Sequence, residues 1–140
     1  MKVKLILLLC FVVVFCIITS CQNEGEMTYN RYYSVGSTIY NSKCQNCHGA
    51  NAEGLNSLIP PFTDSVYLRK NLSRLPCFVR NGLKDTIVVA GKKFSGIMPA
   101  QISLSPIEIA EVLTYITNSF GNKMGLVDAA MVERDLQGCK

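Results

Sequence analysis

The chain has 140 residues, a formal net charge of +4, seven cysteines and a single histidine. This length fits one small domain, and the absence of a basic run or stripe argues against a nucleic-acid partner. A structural zinc site is also excluded, because one histidine and one closely spaced cysteine pair do not supply its four ligands.

The first 20 residues have the pattern of a secretory signal. Lys2 and Lys4 precede an uninterrupted apolar run of 14 residues, 5–18, which is shorter than the roughly 18 residues expected of a spanning helix. The segment ITSC at residues 18–21 resembles a bacterial lipobox, in which the signal is cut before the cysteine and the cysteine is lipidated. We therefore expect residues 1–20 to be a lipoprotein-type signal peptide and Cys21 to carry lipid. The alternative is an uncleaved anchor, and both interpretations tether the chain to a membrane on the export side.

Residues 21–33 are polar with scattered tyrosines and lack a helical apolar stripe. They are predicted to form a short membrane tether that spans at most roughly 40 Å when extended. Alternatively, Tyr29, Tyr32 and Tyr33 pack on the domain or lie at the membrane interface. A first helix is predicted over residues 34–43, where the apolar residues keep helical spacing.

The segment Cys44-Gln45-Asn46-Cys47-His48 follows this helix and contains the only histidine of the chain. Two thiols at this spacing can each add to one vinyl group of a porphyrin, and the adjacent imidazole then lies beneath the iron as its proximal ligand. A thioredoxin-like dithiol would be expected beside a βαβ pattern, which is missing here. A plain disulfide or chance spacing is the remaining alternative. The motif therefore predicts one covalently attached haem c.

Short elements are predicted after the motif. Residues 49–61 are rich in glycine and proline and are predicted to be a loop. Asp64 is a candidate N-cap for a short helix that reaches residues 68–70. Residues 76–81 suit another short helix, with proline in its first turn and Gly82 as its stop.

A hairpin and a long helix complete the predicted domain. Residues 86–94 are predicted to form a small hairpin with an Ala-Gly turn. Ser105 and Glu108 make the S-x-x-E pattern of a capping box, and the helix that they begin is expected to end near Phe120, with Gly121 as its C-cap. Residues 123–140 are expected to be a tail packed on the domain, including a short amphipathic segment.

Two cysteines, Cys77 and Cys139, remain after the signal, the lipid site and the haem motif have taken the other five. An even remainder in an oxidising compartment is consistent with a disulfide between them. It would close a loop of about 60 residues and stabilise the fold by roughly 4 kcal/mol. The sequence alone does not establish that their Cα atoms approach each other.

The sixth position of the iron has four candidate methionine ligands in the mature chain, Met27, Met98, Met124 and Met131. Met98 stands out in the segment SGIMP, 50 residues beyond His48 and just before the capped helix. A loop at this place can carry its thioether across the haem face opposite the histidine. The alternative is that Met98 only fills the core, which methionine does well.

Several of these features occur together in one family. They are Gly36, Tyr40, the CQNCH motif with Gly49, Gly54, Pro60-Pro61, Gly82, Gly91, Met98-Pro99, Val112 and Tyr115-Ile116. On these residues the chain resembles the monohaem class I cytochromes c of the short bacterial type. The resemblance implies an all-α cytochrome c fold over residues 34–122, with three main helices around a covalently bound haem and a small hairpin.

The resemblance also implies two contacts. The first and last helices of the domain should cross at a small-residue contact near Gly36. The proximal imidazole of His48 should donate its N–H to a proline carbonyl, and both Pro60 and Pro61 remain candidates for it.

These patterns together predict an electron carrier without catalytic residues, tethered to a membrane, with iron ligated by His48 and Met98. We expect it to face the periplasm of a bacterial cell envelope, lipid-anchored to the inner or outer membrane, as a monomer or a subunit of a respiratory complex with redox protein partners. The alternatives are a haem-based enzyme or small-ligand sensor in which Met98 dissociates, or a cytochrome subunit of a larger oxidoreductase. The redox partners, the direction of electron flow and the reduction potential do not follow from the sequence.

Overall fold

A computed structural model describes residues 2–20 and 24–139, and this part of the chain is mostly helical with one small hairpin. The prediction of a mostly α-helical domain is confirmed. The elements in chain order are α1 (Lys2–Ser20), α2 (Glu24–Lys43), α3 (Gln45–His48), α4 (Ser65–Lys70), a 3₁₀ turn (Leu72–Arg74), α5 (Leu75–Asn81), β1 (Ile87–Val89), β2 (Lys92–Phe94), α6 (Pro106–Ile116) and α7 (Ala129–Gln137).

Helix α1 contains the apolar run of the predicted signal, and apolar side chains along it, such as Leu8, Leu9 and Phe11, are exposed. Over residues 2–20 and 24–139, no helix combines the length and the apolar character needed to cross a membrane. Cys21, the predicted lipid site, lies outside the described residues.

Helix α2 begins at Glu24, ten residues before the predicted start at Ser34. The interpretation of residues 24–33 as a segment without helical structure is therefore wrong. The tyrosines of this segment repeat at helical spacing, and they pack on the domain: Tyr32 is buried, and the Tyr33 ring lies 5.1 Å from the Tyr115 ring. Tertiary packing thus extends the helix through a polar stretch whose own sequence only weakly favours it. The role of residues 21–33 as a membrane tether stays a prediction.

Helices α2 and α6 form the largest interface of the fold, and Gly36 of α2 lies directly against the backbone of α6. A Cβ at Gly36 would collide with the carbonyl oxygen of Glu111 and would lie 2.6 Å from its carbonyl carbon. Tyr40 of α2 is fully buried, and its ring lies 5.4 Å from the Tyr115 ring of α6. The small-residue crossing implied by the family resemblance is therefore present.

The short elements between these two helices largely follow their local signals. Asp64 caps α4, because its Oδ1 accepts hydrogen bonds from the backbone N–H groups of Val66 and Tyr67 at 3.0 and 3.2 Å. Its Oδ2 also accepts from the N–H of Ala90 at 3.0 Å, which ties the turn of the hairpin to α4. Helix α5 ends at Gly82, whose φ of +73° favours glycine. The 3₁₀ turn before α5 was not predicted.

Strands β1 and β2 pair antiparallel, with Ile87 opposite Phe94 and Val89 opposite Lys92. Ala90 and Gly91 form the turn between them, and both have positive φ. Two-residue hairpin turns of this kind match the twist of the flanking strands. The predicted hairpin is confirmed.

Helix α6 has the predicted capping box. The backbone N–H of Ser105 donates to Glu108 Oε2 at 2.7 Å, and the Glu108 N–H donates to Ser105 Oγ at 3.5 Å. The predicted end of the helix near Phe120 is wrong, because α6 ends at Ile116. Side chains beyond this residue satisfy carbonyls of the last turn: Asn118 Nδ2 donates to the Thr114 carbonyl at 2.8 Å, and Asn122 Nδ2 donates to the Ile116 carbonyl at 3.2 Å.

The C-terminal segment forms helix α7, which packs on α5, α6 and the 3₁₀ turn. Val132 is the fully buried residue of its inner face, and the Asp128 side chain caps the helix by accepting from the N–H of Ala130 at 2.7 Å. A disulfide joins Cys77 of α5 to Cys139 just after α7, with a Cα–Cα distance of 5.5 Å. The chain beyond α6 is therefore tied back onto the domain both by packing and by a covalent bond.

Candidate haem site

A large cavity lies between the CQNCH motif, helices α5 and α6, and the loop that carries Met98. Its walls are mostly apolar. The lining side chains from the helices include Leu68, Leu75, Phe78, Val79, Val112, Leu113 and Ile116, and the hairpin adds Ile87, Val89 and Phe94. Apolar walls with a few polar groups at fixed places are typical of cofactor sites.

The two thiols and the imidazole are brought together by helix α3, a single turn that continues directly from α2. The Cys44 carbonyl accepts from the N–H groups of Cys47 and His48 at 3.1 and 2.9 Å. Residues three and four apart lie on one side of such a turn, and all three residues line the cavity. In the free thiol form, burial and the neighbouring Cys47 raise the pKa of Cys44 to about 11.

His48 is only 7% exposed, and its Nδ1 lies 3.2 Å from the carbonyl oxygen of Pro60. Because a carbonyl can only accept, Nδ1 carries the proton and Nε2 is left with a lone pair that can bind a metal. Burial lowers the pKa of His48, and the hydrogen bond to Pro60 opposes this shift. Of the two prolines between which the sequence did not choose, Pro60 makes the contact, and Pro61 lines the cavity.

Met98 also lines the cavity, and the backbone holds its loop in place. The Met98 N–H donates to the Leu83 carbonyl at 2.8 Å, and its carbonyl accepts from the Leu83 N–H at 3.0 Å. Gly96 donates to the Leu58 carbonyl at 3.1 Å, and a Cβ at Gly96 would collide with this carbonyl. The thioether is thus carried by a loop with two backbone anchors.

The other three candidate methionines do not line the cavity. Met27 is exposed on α2, Met124 packs against the core beyond α6, and Met131 is part of α7. The described residues also contain no cluster of three or more His, Cys, Asp or Glu side chains that could hold a metal ion.

Sequence reasoning missed two aromatic contacts of the site. The Phe62 ring stacks on the His48 ring, with centroids 4.1 Å apart and planes inclined by 21°. The Tyr40 hydroxyl donates to the Gly49 carbonyl at 2.6 Å, which fixes the end of α3 to α2. Phe62 directly follows Pro61, but no spacing rule points from this position to the imidazole.

The residues present fit a covalently attached haem. Two thiols on one helical turn match the two vinyl groups, the adjacent imidazole has its proton fixed on the far nitrogen, and the apolar walls suit a macrocycle.

A family model described as "Cytochrome C oxidase, cbb3-type, subunit III" matches residues 33–116, which is 84 of 140 residues. The chain belongs to the monohaem class I cytochromes c. No curated protein matches the chain. As a cytochrome c, it carries covalently bound haem c with its iron and takes part in haem-based electron transfer. Helix α1, the first part of α2 and all residues after α6 lie outside the matched segment.

Proposed function

We propose that this cytochrome c is a membrane-tethered electron carrier whose single iron is ligated by His48 and Met98 at all times. The observation that carries the proposal is that Cys44, Cys47, His48 and Met98 line one apolar cavity. The proposal includes the arrangement expected for the fold, with α2, α5 and α6 as the three main helices around the haem. Residues of α5 and α6 line the cavity, and α2 leads directly into the attachment motif.

The haem supplies a one-electron couple when it is bound, and the residues of the chain tune and protect it. Cys44 and Cys47 would hold the macrocycle covalently, and the Pro60 carbonyl would orient His48 and raise its basicity as a ligand. The apolar walls exclude water from the site. A methionine ligand and burial both raise the reduction potential, which suits electron delivery toward a high-potential acceptor protein.

The test is the visible and near-infrared spectrum of the ferric protein. We expect a low-spin spectrum with the weak sulfur-to-iron band, and this band should vanish in Met98→Ala. Met27→Ala is the matched control, because Met27 is exposed on α2 and lies away from the cavity. A high-spin resting spectrum would contradict the carrier proposal and favour a haem enzyme or ligand sensor. A sulfur-to-iron band that survives in Met98→Ala would show that another sulfur ligates the iron and would contradict the role of Met98.

The proposed location is the periplasmic side of a bacterial membrane, with residues 1–20 removed as a signal and Cys21 lipidated in the inner or outer membrane. The supporting observation is the apolar run of the first 20 residues followed by the ITSC segment. Because α2 begins at Glu24, only residues 22 and 23 separate Cys21 from the helix that leads to the haem motif. Intact-mass measurement of the membrane-extracted protein would detect the lipid, and a mass that includes residues 1–20 would contradict this part of the proposal.

A second candidate function is that of a cytochrome subunit in a respiratory oxidoreductase. The description of the matching family, which names subunit III of a cbb3-type cytochrome c oxidase, supports it. Co-purification after mild detergent extraction distinguishes the two. A stable complex with an oxidase would establish the subunit, whereas isolation of the cytochrome alone would support the independent carrier.

A further inference from the structure

The face of the His48 ring is covered by Phe62, and the Phe62 backbone is held from both sides. Its N–H donates to the Ala52 carbonyl at 2.9 Å, within the loop that follows the haem motif. Its carbonyl accepts from Nδ2 of Asn122 at 2.7 Å, across a separation of 60 residues. Asn122, a residue beyond α6, therefore bonds to the residue that stacks on the His48 ring.

Asn122 is itself firmly placed. It is 2% exposed, its Nδ2 also donates to the Ile116 carbonyl at the end of α6 at 3.2 Å, and its backbone N–H donates to the Ser119 carbonyl at 2.9 Å. Because Nδ2 uses both of its hydrogens on carbonyls, the orientation of the amide is fixed. The Oδ1 atom is buried and has no hydrogen-bond partner within the part of the chain that the structure describes.

We infer that Asn122 is a positioning residue for the proximal histidine, acting through Phe62. The inference rests on the proposed function in one respect, namely that His48 ligates the iron. The hydrogen bond to Pro60 fixes the direction in which Nδ1 points, whereas a ring stacked at 4.1 Å restricts the tilt of the imidazole plane. Partners beyond the ligands orient a metal-bound histidine in this way.

The position of Asn122 in the chain makes this link specific to the extension after α6. The matched family segment ends at Ile116, so Asn122 lies six residues beyond it. The segment that follows α6 thus does more than lead to α7, because it contacts the proximal side of the haem site.

Asn118 provides a matched control, since it is also an asparagine of the segment after α6 but has no bond to Phe62. Its Oδ1 accepts from the N–H groups of Met124 and Gly125, and its Nδ2 lies within hydrogen-bond distance of three oxygens, those of the Thr114 and Gly125 carbonyls and the Thr117 hydroxyl. A merely structural role for Asn122 predicts that both asparagines act alike. The positioning role predicts opposite patterns, because Asn118 has more bonds to lose, whereas of the two only Asn122 bonds to the residue that stacks on His48.

The experiment uses the full, haem-loaded ferric chain in four variants, Asn122→Leu, Phe62→Leu, the double variant and Asn118→Leu. Two readouts are taken, the g-values of the low-spin electron paramagnetic resonance spectrum and the midpoint of thermal unfolding. We expect Asn122→Leu and Phe62→Leu each to displace and broaden the largest g-value. The double variant should match Phe62→Leu alone, because residues that act in series are not additive. Asn118→Leu should lower the unfolding midpoint more than Asn122→Leu and leave the g-values unchanged.

Three results would overturn the inference: unchanged g-values in Asn122→Leu, an equal displacement in Asn118→Leu, or additive displacements in the double variant. If Asn122→Leu does not accumulate, Asn122→Ser is used instead, because it keeps one hydrogen-bond donor. It should displace the largest g-value in the same direction but by a smaller amount. The wild-type spectrum separates this inference from the proposed function. A wild type with the sulfur-to-iron band, together with an unaffected Asn122→Leu, refutes only the role of Asn122, whereas a high-spin wild type refutes the ligation proposal itself.

Discussion

Replacing Gly36 by alanine should force apart the two helices that form the largest interface of this cytochrome. The added Cβ would collide with the Glu111 carbonyl oxygen, and it would lie 2.6 Å from the carbonyl carbon and 3.0 Å from Cβ of Tyr115. The first two are backbone atoms of α6, which cannot rotate away as a flexible side chain could. The helices must therefore separate along a contact in which the rings of Tyr40 and Tyr115 lie 5.4 Å apart.

Two effects of opposite sign set the size of this change. Extra volume in a close-packed interface costs about 1–3 kcal/mol, and a backbone collision lies at the upper end of that range. Alanine in place of glycine within a helix gains about 1 kcal/mol. The net expectation for Gly36→Ala is a loss of about 2 kcal/mol in the free energy of unfolding.

The assay is denaturant unfolding of the haem-loaded protein followed by far-ultraviolet circular dichroism. Gly25→Ala is the matched control, because Gly25 lies in the same helix and nothing lies within 4 Å of its added Cβ. The control should be neutral or slightly more stable than wild type, since it gains helix propensity without a collision. A Gly36→Ala variant as stable as Gly25→Ala would refute the close crossing of α2 and α6.

Three further changes test other parts of the fold. Changing both Cys77 and Cys139 to serine should lower the free energy of unfolding by roughly 4 kcal/mol, because the disulfide closes a loop across a separation of 62 residues. Denaturant unfolding measures this loss. Ser105→Ala removes the capping box of α6 and should cost about 1 kcal/mol in the same measurement. Glu111→Gln should stabilise the protein at neutral pH, because burial raises the pKa of this carboxyl. A raised pKa means that folding favours the protonated acid, so stability falls as the pH rises through that pKa.

For the disulfide, wild type in a reducing agent should lose the same stability as the double serine variant. A wild type that stays as stable after reduction would show that the loss in the variant has another cause. Ser105→Thr keeps a hydroxyl and should retain most of the stability that the cap provides. An equal loss of unfolding free energy in Ser105→Thr and Ser105→Ala would contradict the contribution of the capping box. For Glu111→Gln, the gain should disappear below the pKa of the carboxyl. A gain that is constant from acid to neutral pH would have another cause.

Features whose hydrogen bonds close within a few residues could be predicted from the sequence alone. The CQNCH motif forms one helical turn, in which the N–H groups of Cys47 and His48 donate to the Cys44 carbonyl. The capping box of α6 and the Asp64 cap of α4 likewise depend on side chains that bond to the backbone two or three residues away. Such local patterns can be read from residue types and spacing, because the partner of each group lies within the same short segment.

Features that depend on partners far along the chain could not be predicted in this way. Helix α2 extends back to Glu24 because Tyr33 packs against Tyr115 of α6. The polar sequence of residues 24–33 does not indicate this contact. The choice of Pro60 over Pro61 depends on where the loop returns to His48. The bond from Asn122 to Phe62 spans 60 residues. Packing over such separations depends on the whole path of the chain, and the spacing of neighbouring residues does not encode it.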